Sequence, residues 1–228
     1  MKHLLLLHGA IGAKDQLDPL AISLRSQFHV HTINFNGHGG SPATKESFSM
    51  EGFAHDVIKY LHENNITQVV IFGYSMGGYV AIFLARYYPE IVSKVITLAT
   101  KFHWDETIVI KEIRMLDATT IEEKMPAFAK QLQRRHGINW KALLEKTKQL
   151  LLQLGNNNIL QIADYACVST PCLLLLGDKD KMVTTAETIA VYEALPNGKY
   201  MLLPHTSHPV EQVEVPVLAA IIEEFICQ

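Results

Sequence analysis

Short apolar runs alternate along the chain with longer segments in which apolar residues recur every three or four positions. Residues 2–7 form a nearly continuous apolar run, as expected of a strand buried on both faces, and residues 68–72, 91–99, 172–176 and 199–203 read as further strands. Residues 29–35 alternate and run into a tight loop, Asn36-Gly37-His38-Gly39-Gly40-Ser41-Pro42. Between these runs the spacing is helical. Leu17, Leu20, Ala21 and Leu24 predict a helix over 15–27, and Phe53, Val57, Ile58 and Leu61 predict one over 51–64. Another is expected over 78–88, ending at Pro89, another over 185–195, and a last over 213–226 whose regular part starts at Pro216. Strands alternating with helices in this way predict an α/β fold, a mostly parallel sheet with helices on both faces.

Residues 101–166 break that rhythm, with three expected helices and no convincing strand. Val109, Ile113 and Leu116 share one face of a helix over 106–116. A second is expected over 120–136, with Pro126 near its first turns or at a kink. The third repeats Trp140, Leu143, Leu144, Thr147, Leu150, Leu151 and Leu154, with Asn139 as its cap and Gly155 as its stop. We read one domain over 1–228 in which 101–166 is a helical insertion. The insertion holds ten of the twenty Lys and Arg residues against eight acidic ones, a balance expected of a solvated outer face.

Composition narrows the partners. With 228 residues, 48% of them hydrophobic, the chain can bury a substantial core. A net charge of -3 offers no broad basic surface for nucleic acid, and no stretch approaches the roughly 18 apolar residues of a membrane span. The first residues superficially resemble a signal peptide, but the leucine run is short and His8-Gly9 interrupts it. Cys167, Cys172 and Cys227 are an odd number without metal-ligand spacing, which favours a reducing, cytoplasmic setting.

The chemistry centres on Gly73-Tyr74-Ser75-Met76-Gly77-Gly78, where an apolar strand runs into small residues and then a helix. The frame Gly73-x-Ser75-x-Gly77 in that context fits a strained strand-to-helix turn that exposes a serine nucleophile, with the Met76 N–H at the helix start facing an oxyanion. A second donor is the N–H of Ala10, in the loop after the first strand. His8 beside it is read as a hydrogen-bonding support for that loop. Late in the chain, Asp178 and Asp180 follow one strand, and His205 and His208 follow the next.

Serine, then acid, then histidine, each in a loop after a strand, resembles the α/β-hydrolase superfamily over residues 2–101 and 167–228. Gly177-x-x-Asp180 matches that family's acid turn and Ser207-His208 its usual Gly-His, which favours Asp180 over Asp178 and His208 over His205. Asn34 to Ser41 resembles its Asp-x-Pro-Gly-His-Gly-x-Ser loop, with asparagine at both departures. The family usually has two strands before the His-Gly strand, where this chain begins, so six parallel strands are expected, with 29–35 at an edge. Ser207 in place of glycine is acceptable if the backbone there needs no positive φ.

The resemblance implies a serine hydrolase, carboxylesterase-like, that cleaves an ester or related acyl bond of a small molecule. In it Ser75 attacks, His208 takes the serine proton and Asp180 orients His208, without metal or organic cofactor. Segment 101–166 corresponds to a helical lid. Phe102, His103 and Trp104 are expected either to line the substrate pocket or to pack the lid hinge, and Tyr74 either to line the pocket or to pack. Two other readings stay open. One is a triad-dependent lyase or synthase resembling a menaquinone-pathway member, which usually has arginine where this chain has Tyr79. The other is a non-catalytic member of the fold that binds a small ligand.

Overall fold

The computed structural model describes residues 1–41 and 46–228, so Pro42 of the expected loop lies outside the described residues. Six strands form one parallel sheet: β1 (His3–Leu7), β2 (His29–Thr32), β3 (Val69–Tyr74), β4 (Val92–Leu98), β5 (Cys172–Gly177) and β6 (Gly198–Leu203), in the order β2-β1-β3-β4-β5-β6. The expected six strands are present, and β2 is an edge, although it stops at Thr32.

Strand alternation sends side chains to two cores. Leu5, Leu7, Ile71, Val95 and Leu174 face α2 (Met50–Glu63), α3 (Met76–Tyr87) and α9 (Thr185–Ala194). Leu4, Leu6, Phe72, Ile96 and Leu175 face α1 (Asp18–Leu24) and α10 (Val215–Cys227). Leu4 to Leu7 are wholly buried, which explains why the first strand reads as an unbroken apolar run. Each such leucine contributes about 1.5–3 kcal/mol of burial.

Between β4 and β5 the chain makes α4 (Glu106–Arg114), α5 (Ala118–Lys124), α6 (Pro126–His136), α7 (Trp140–Asn156) and α8 (Ile162–Tyr165). Five helices thus stand where three were expected. The expected helix over 120–136 is two, because Pro126 cannot donate a backbone hydrogen bond and starts α6 instead of continuing α5. Gly155 does not stop α7. It lies inside the helix, where a Cβ would sit 2.7 Å from Val109 Cγ2, so its smallness lets α4 and α7 approach closely. Asn139 precedes α7, but its side chain makes no capping bond.

β1 leads to β2 on one side, and the chain then returns to lay β3 on the other. The C-terminal ends of β1 and β3 therefore flank the point where the strand order reverses, the crevice in which open α/β sheets place their sites.

Candidate active site

Ser75 joins β3 to α3 with φ 50 and ψ -116, a conformation costly for a residue with a side chain. The surroundings hold it there. Its N–H donates to Leu98 O at 2.8 Å, and its carbonyl accepts from Gly78 N–H at 3.0 Å and from the Thr100 hydroxyl at 3.1 Å. The flanking glycines are required by close approach. A Cβ on Gly73 would sit 2.3 Å from Gly77 O, and one on Gly77 would sit 2.4 Å from Leu7 O. The turn is thus wedged between α3 and the end of β1.

Gly9 packs against the same turn, its Cβ position 3.2 Å from Ser75 Cβ and 2.9 Å from Tyr74 Cε1. The N–H groups of Ala10 and Met76 donate to no acceptor among the described residues. His8 is wholly buried behind this loop. Its Nδ1 lies 2.8 Å from Gly9 O and its Nε2 accepts from Phe35 N–H at 3.2 Å. That pattern requires the neutral Nδ1–H tautomer. Burial, which outweighs the Gly9 hydrogen bond, pushes the imidazole pKa down to about 4. His8 therefore supports the loop, as its position beside Gly9 led us to expect.

Across the crevice, Asp180 Oδ2 lies 2.8 Å from His208 Nδ1. The other oxygen, Oδ1, accepts from Met182 N–H at 2.8 Å and from Val183 N–H at 2.9 Å. Burial raises the Asp180 pKa, but the hydrogen bonds from His208, Val183 and Met182 outweigh it and hold the carboxyl below its ordinary value. The alternatives sit elsewhere. Asp178 is exposed and accepts from Thr206 N–H at 3.2 Å, and His205 is exposed with a positive φ of 53. Ser207 is not among the residues with positive φ, so serine fits where the family has glycine.

Tyr74 lies in the core shared with α1 and α10, its ring 5.6 Å from that of His208, so it packs between the Gly9 loop and the histidine. No hydrogen bond joins Ser75 Oγ to His208 among the described residues, a link that often tightens only when substrate binds. Phe102 is buried at the start of the helical segment, its N–H donating to Glu187 and its carbonyl accepting from Asn158 Nδ2 at 2.9 Å. His103 is exposed beside Asp105, while Trp104 packs against the core under Lys101.

Tyr79, one turn into α3, is fully buried. Its hydroxyl donates to Asn158 Oδ1 at 2.6 Å and accepts from Leu160 N–H at 3.0 Å. It thereby ties α3 to the far end of the helical segment. A groove of about 460 Å³ lies between that segment and the loops after β1 and β2, lined by Ala13, Lys14, Asn34, Gly39 and Arg134 among others, but not by Ser75. Cys172 is buried, which pushes its thiol up to about 12. Among the described residues no three His, Cys, Asp or Glu side chains are grouped to hold a metal ion, and no helix is long and apolar enough to cross a membrane.

Residues 2–135 match the profile of a family described as having the alpha/beta hydrolase fold. The chain is similar to the sn-1-specific diacylglycerol lipase ABHD11 of Xenopus laevis, 30% identical over 54% of this chain and 40% of that protein. It is also similar to the 2-(acetamidomethylene)succinate hydrolase of Mesorhizobium japonicum, 21% identical over 98% of this chain and 87% of that protein. The match spans about three tenths to two fifths of the length of the first three curated relatives. Among solved structures, an esterase from Thermogutta terrifontis superposes with a TM-score of 0.78 at 22% identity, covering 99% of this chain and 89% of that one. An enol-lactonase from Burkholderia xenovorans superposes at 0.80 and 18% identity, covering 100% and 92%.

Proposed function

The chain belongs to the α/β-hydrolase fold family, and on that premise we propose that it is a serine hydrolase cleaving an ester or related acyl bond of a small molecule. The observation that carries this reading is the Asp180–His208 hydrogen bond of 2.8 Å, formed at the C-terminal end of the sheet that also presents the strained Ser75. In the proposed mechanism His208 Nε2 takes the proton of Ser75 Oγ as that oxygen attacks the carbonyl. Asp180 holds Nδ1–H and stabilises the imidazolium. The Ala10 and Met76 N–H groups receive the oxyanion, His208 returns its proton to the leaving group, and water then releases the acyl group by the reverse path.

The segment 101–166 serves as a lid, with Phe102 fixed by Glu187 and Asn158 at its hinge. Trp104, partly buried against the core, and His103, exposed beside Asp105, stay candidates for contact with substrate at the same hinge. The lyase reading loses ground at Tyr79. Where the resembling synthases have arginine, this hydroxyl is buried and already bonded twice.

The test is hydrolysis of a series of p-nitrophenyl acyl esters by wild type and Ser75→Ala. Turnover that vanishes with Ser75 supports the reading, and the preferred acyl length begins to describe the pocket. Turnover unaffected by the substitution would overturn it.

A further inference from the structure

The loop that carries Ala10 is held from an unexpected direction. Gly12 N–H donates to Gly9 O at 3.2 Å, closing a four-residue turn with Ala10 and Ile11 at its centre. Ile11 has φ 51. A turn whose third residue has positive φ ordinarily carries glycine or asparagine there, and a β-branched side chain is an outlier. Such a conformation persists only where the surroundings impose it.

The imposed contact comes from α6. His136, its last residue, is buried, and its Nε2 lies 2.9 Å from Ile11 O. Its Nδ1 accepts from Gly39 N–H at 3.0 Å, so the ring proton sits on Nε2 and donates to the Ile11 carbonyl. The neighbouring Arg135 reaches the same region on both sides. Its Nε pairs with Asp15 Oδ1 at 3.1 Å, just beyond the turn, and its Nη2 lies 3.7 Å from Glu211 Oε1, three residues past His208. Gln16 closes the link by donating to Glu211 at 2.7 Å.

Resting on the hydrolase reading, we propose that His136 and Arg135 are positioning residues: the end of α6 fixes the turn that presents the Ala10 N–H and ties it to the loop that carries His208. This end of the helical segment belongs to the catalytic frame.

The experiment compares wild type, His136→Asn, His136→Gln and Arg135→Met, with Ser75→Ala as the blank. The readouts are ester turnover, inhibition by an alkyl trifluoromethyl ketone, which forms an oxyanion on the serine, and thermal midpoint. Asparagine is too short to reach Ile11 O, whereas the glutamine amide keeps a donor near the Nε2 position. The expected result is a kcat loss of about tenfold or more for His136→Asn with KM little changed, in line with weakened oxyanion binding. Ketone affinity falls in parallel, and His136→Gln recovers most of both. Arg135→Met, which leaves the buried histidine in place, is expected to lower kcat and ketone affinity in the same ratio, and it carries the test if His136→Asn does not fold. Lower thermal midpoints with kcat and ketone affinity unchanged would show a purely structural role and overturn the proposal. Wild type without Ser75-dependent turnover would overturn the hydrolase reading and this proposal together.

Discussion

Replacing Asp180 by asparagine separates the chemistry of the site from its folding. The Asp180 side chain has two distinct tasks: Oδ1 accepts the Met182 and Val183 N–H groups at 2.8 and 2.9 Å, and Oδ2 faces His208 Nδ1 at 2.8 Å. Asparagine keeps the first task through its carbonyl oxygen. Its NH2 is then turned toward His208, and because that group only donates, Nδ1 must accept and the ring proton moves to Nε2. An imidazole protonated there cannot take the Ser75 proton. A wrong tautomer of this kind costs a triad about 10⁴ in kcat, or about 5 kcal/mol of barrier. The folding cost is far smaller, about 1 kcal/mol for one weakened hydrogen bond, a shift of about 2–4 °C in thermal midpoint for a chain of this size. Ester turnover and thermal melting of Asp180→Asn test both halves. Asp178→Asn, on the exposed neighbour, is the control and should retain wild-type turnover. A kcat within tenfold of wild type for Asp180→Asn, in folded protein, would refute the assignment of Asp180.

Other substitutions probe the frame. Gly77→Ala places a Cβ 2.4 Å from Leu7 O and 2.7 Å from His8 O, both backbone atoms that cannot swing away, so urea unfolding should show a loss of about 3 kcal/mol or more. Tyr79→Phe leaves Asn158 Oδ1 and the buried Leu160 N–H without their partner and should cost about 1–3 kcal/mol. Its effect on kcat should stay within about threefold, since Tyr79 does not touch the reacting atoms. Stability should also fall with acid. His8 titrates near 4 in the fold against 6.5 when unfolded, so the unfolded chain takes up more protons between those values. About 3 kcal/mol is lost as pH drops across that window, and His38 and His136, also held down by burial, add in the same direction. The depressed Asp180 contributes stability that is lost only at lower pH still, as its carboxyl protonates in the fold. Urea unfolding free energies that stay flat or rise from pH 6.5 to 4.5 would contradict this.

The sheet was legible because strands buried on both faces leave unbroken apolar runs, and Leu4 to Leu7 is such a run. The Ser75 turn and the pairing of Asp180 with His208, the proposed triad's parts, were legible because each residue follows a strand in a motif whose spacing is local. The helical segment was less so. Pro126 marked a break, but whether it kinked or ended a helix depends on packing around it, and Gly155 looks like a stop unless Val109 is known to lie against it. His136 and Arg135 left no readable signal. Their partners Ile11, Gly39, Asp15 and Glu211 lie tens of residues away or more, and in the sequence the pair looks like part of a solvated basic face. In the sequence Tyr79 stands out only because the resembling synthases have arginine there, and its two hydrogen bonds reach residues some 80 positions later.

The central claim, that Ser75 is the nucleophile, is tested most directly by treating the folded protein with a fluorophosphonate and locating the adduct by peptide mass spectrometry. The account predicts one stoichiometric adduct on Ser75, formed in step with loss of ester turnover and absent from Ser75→Ala. An adduct on another residue, or full turnover retained after Ser75 is modified, would contradict it.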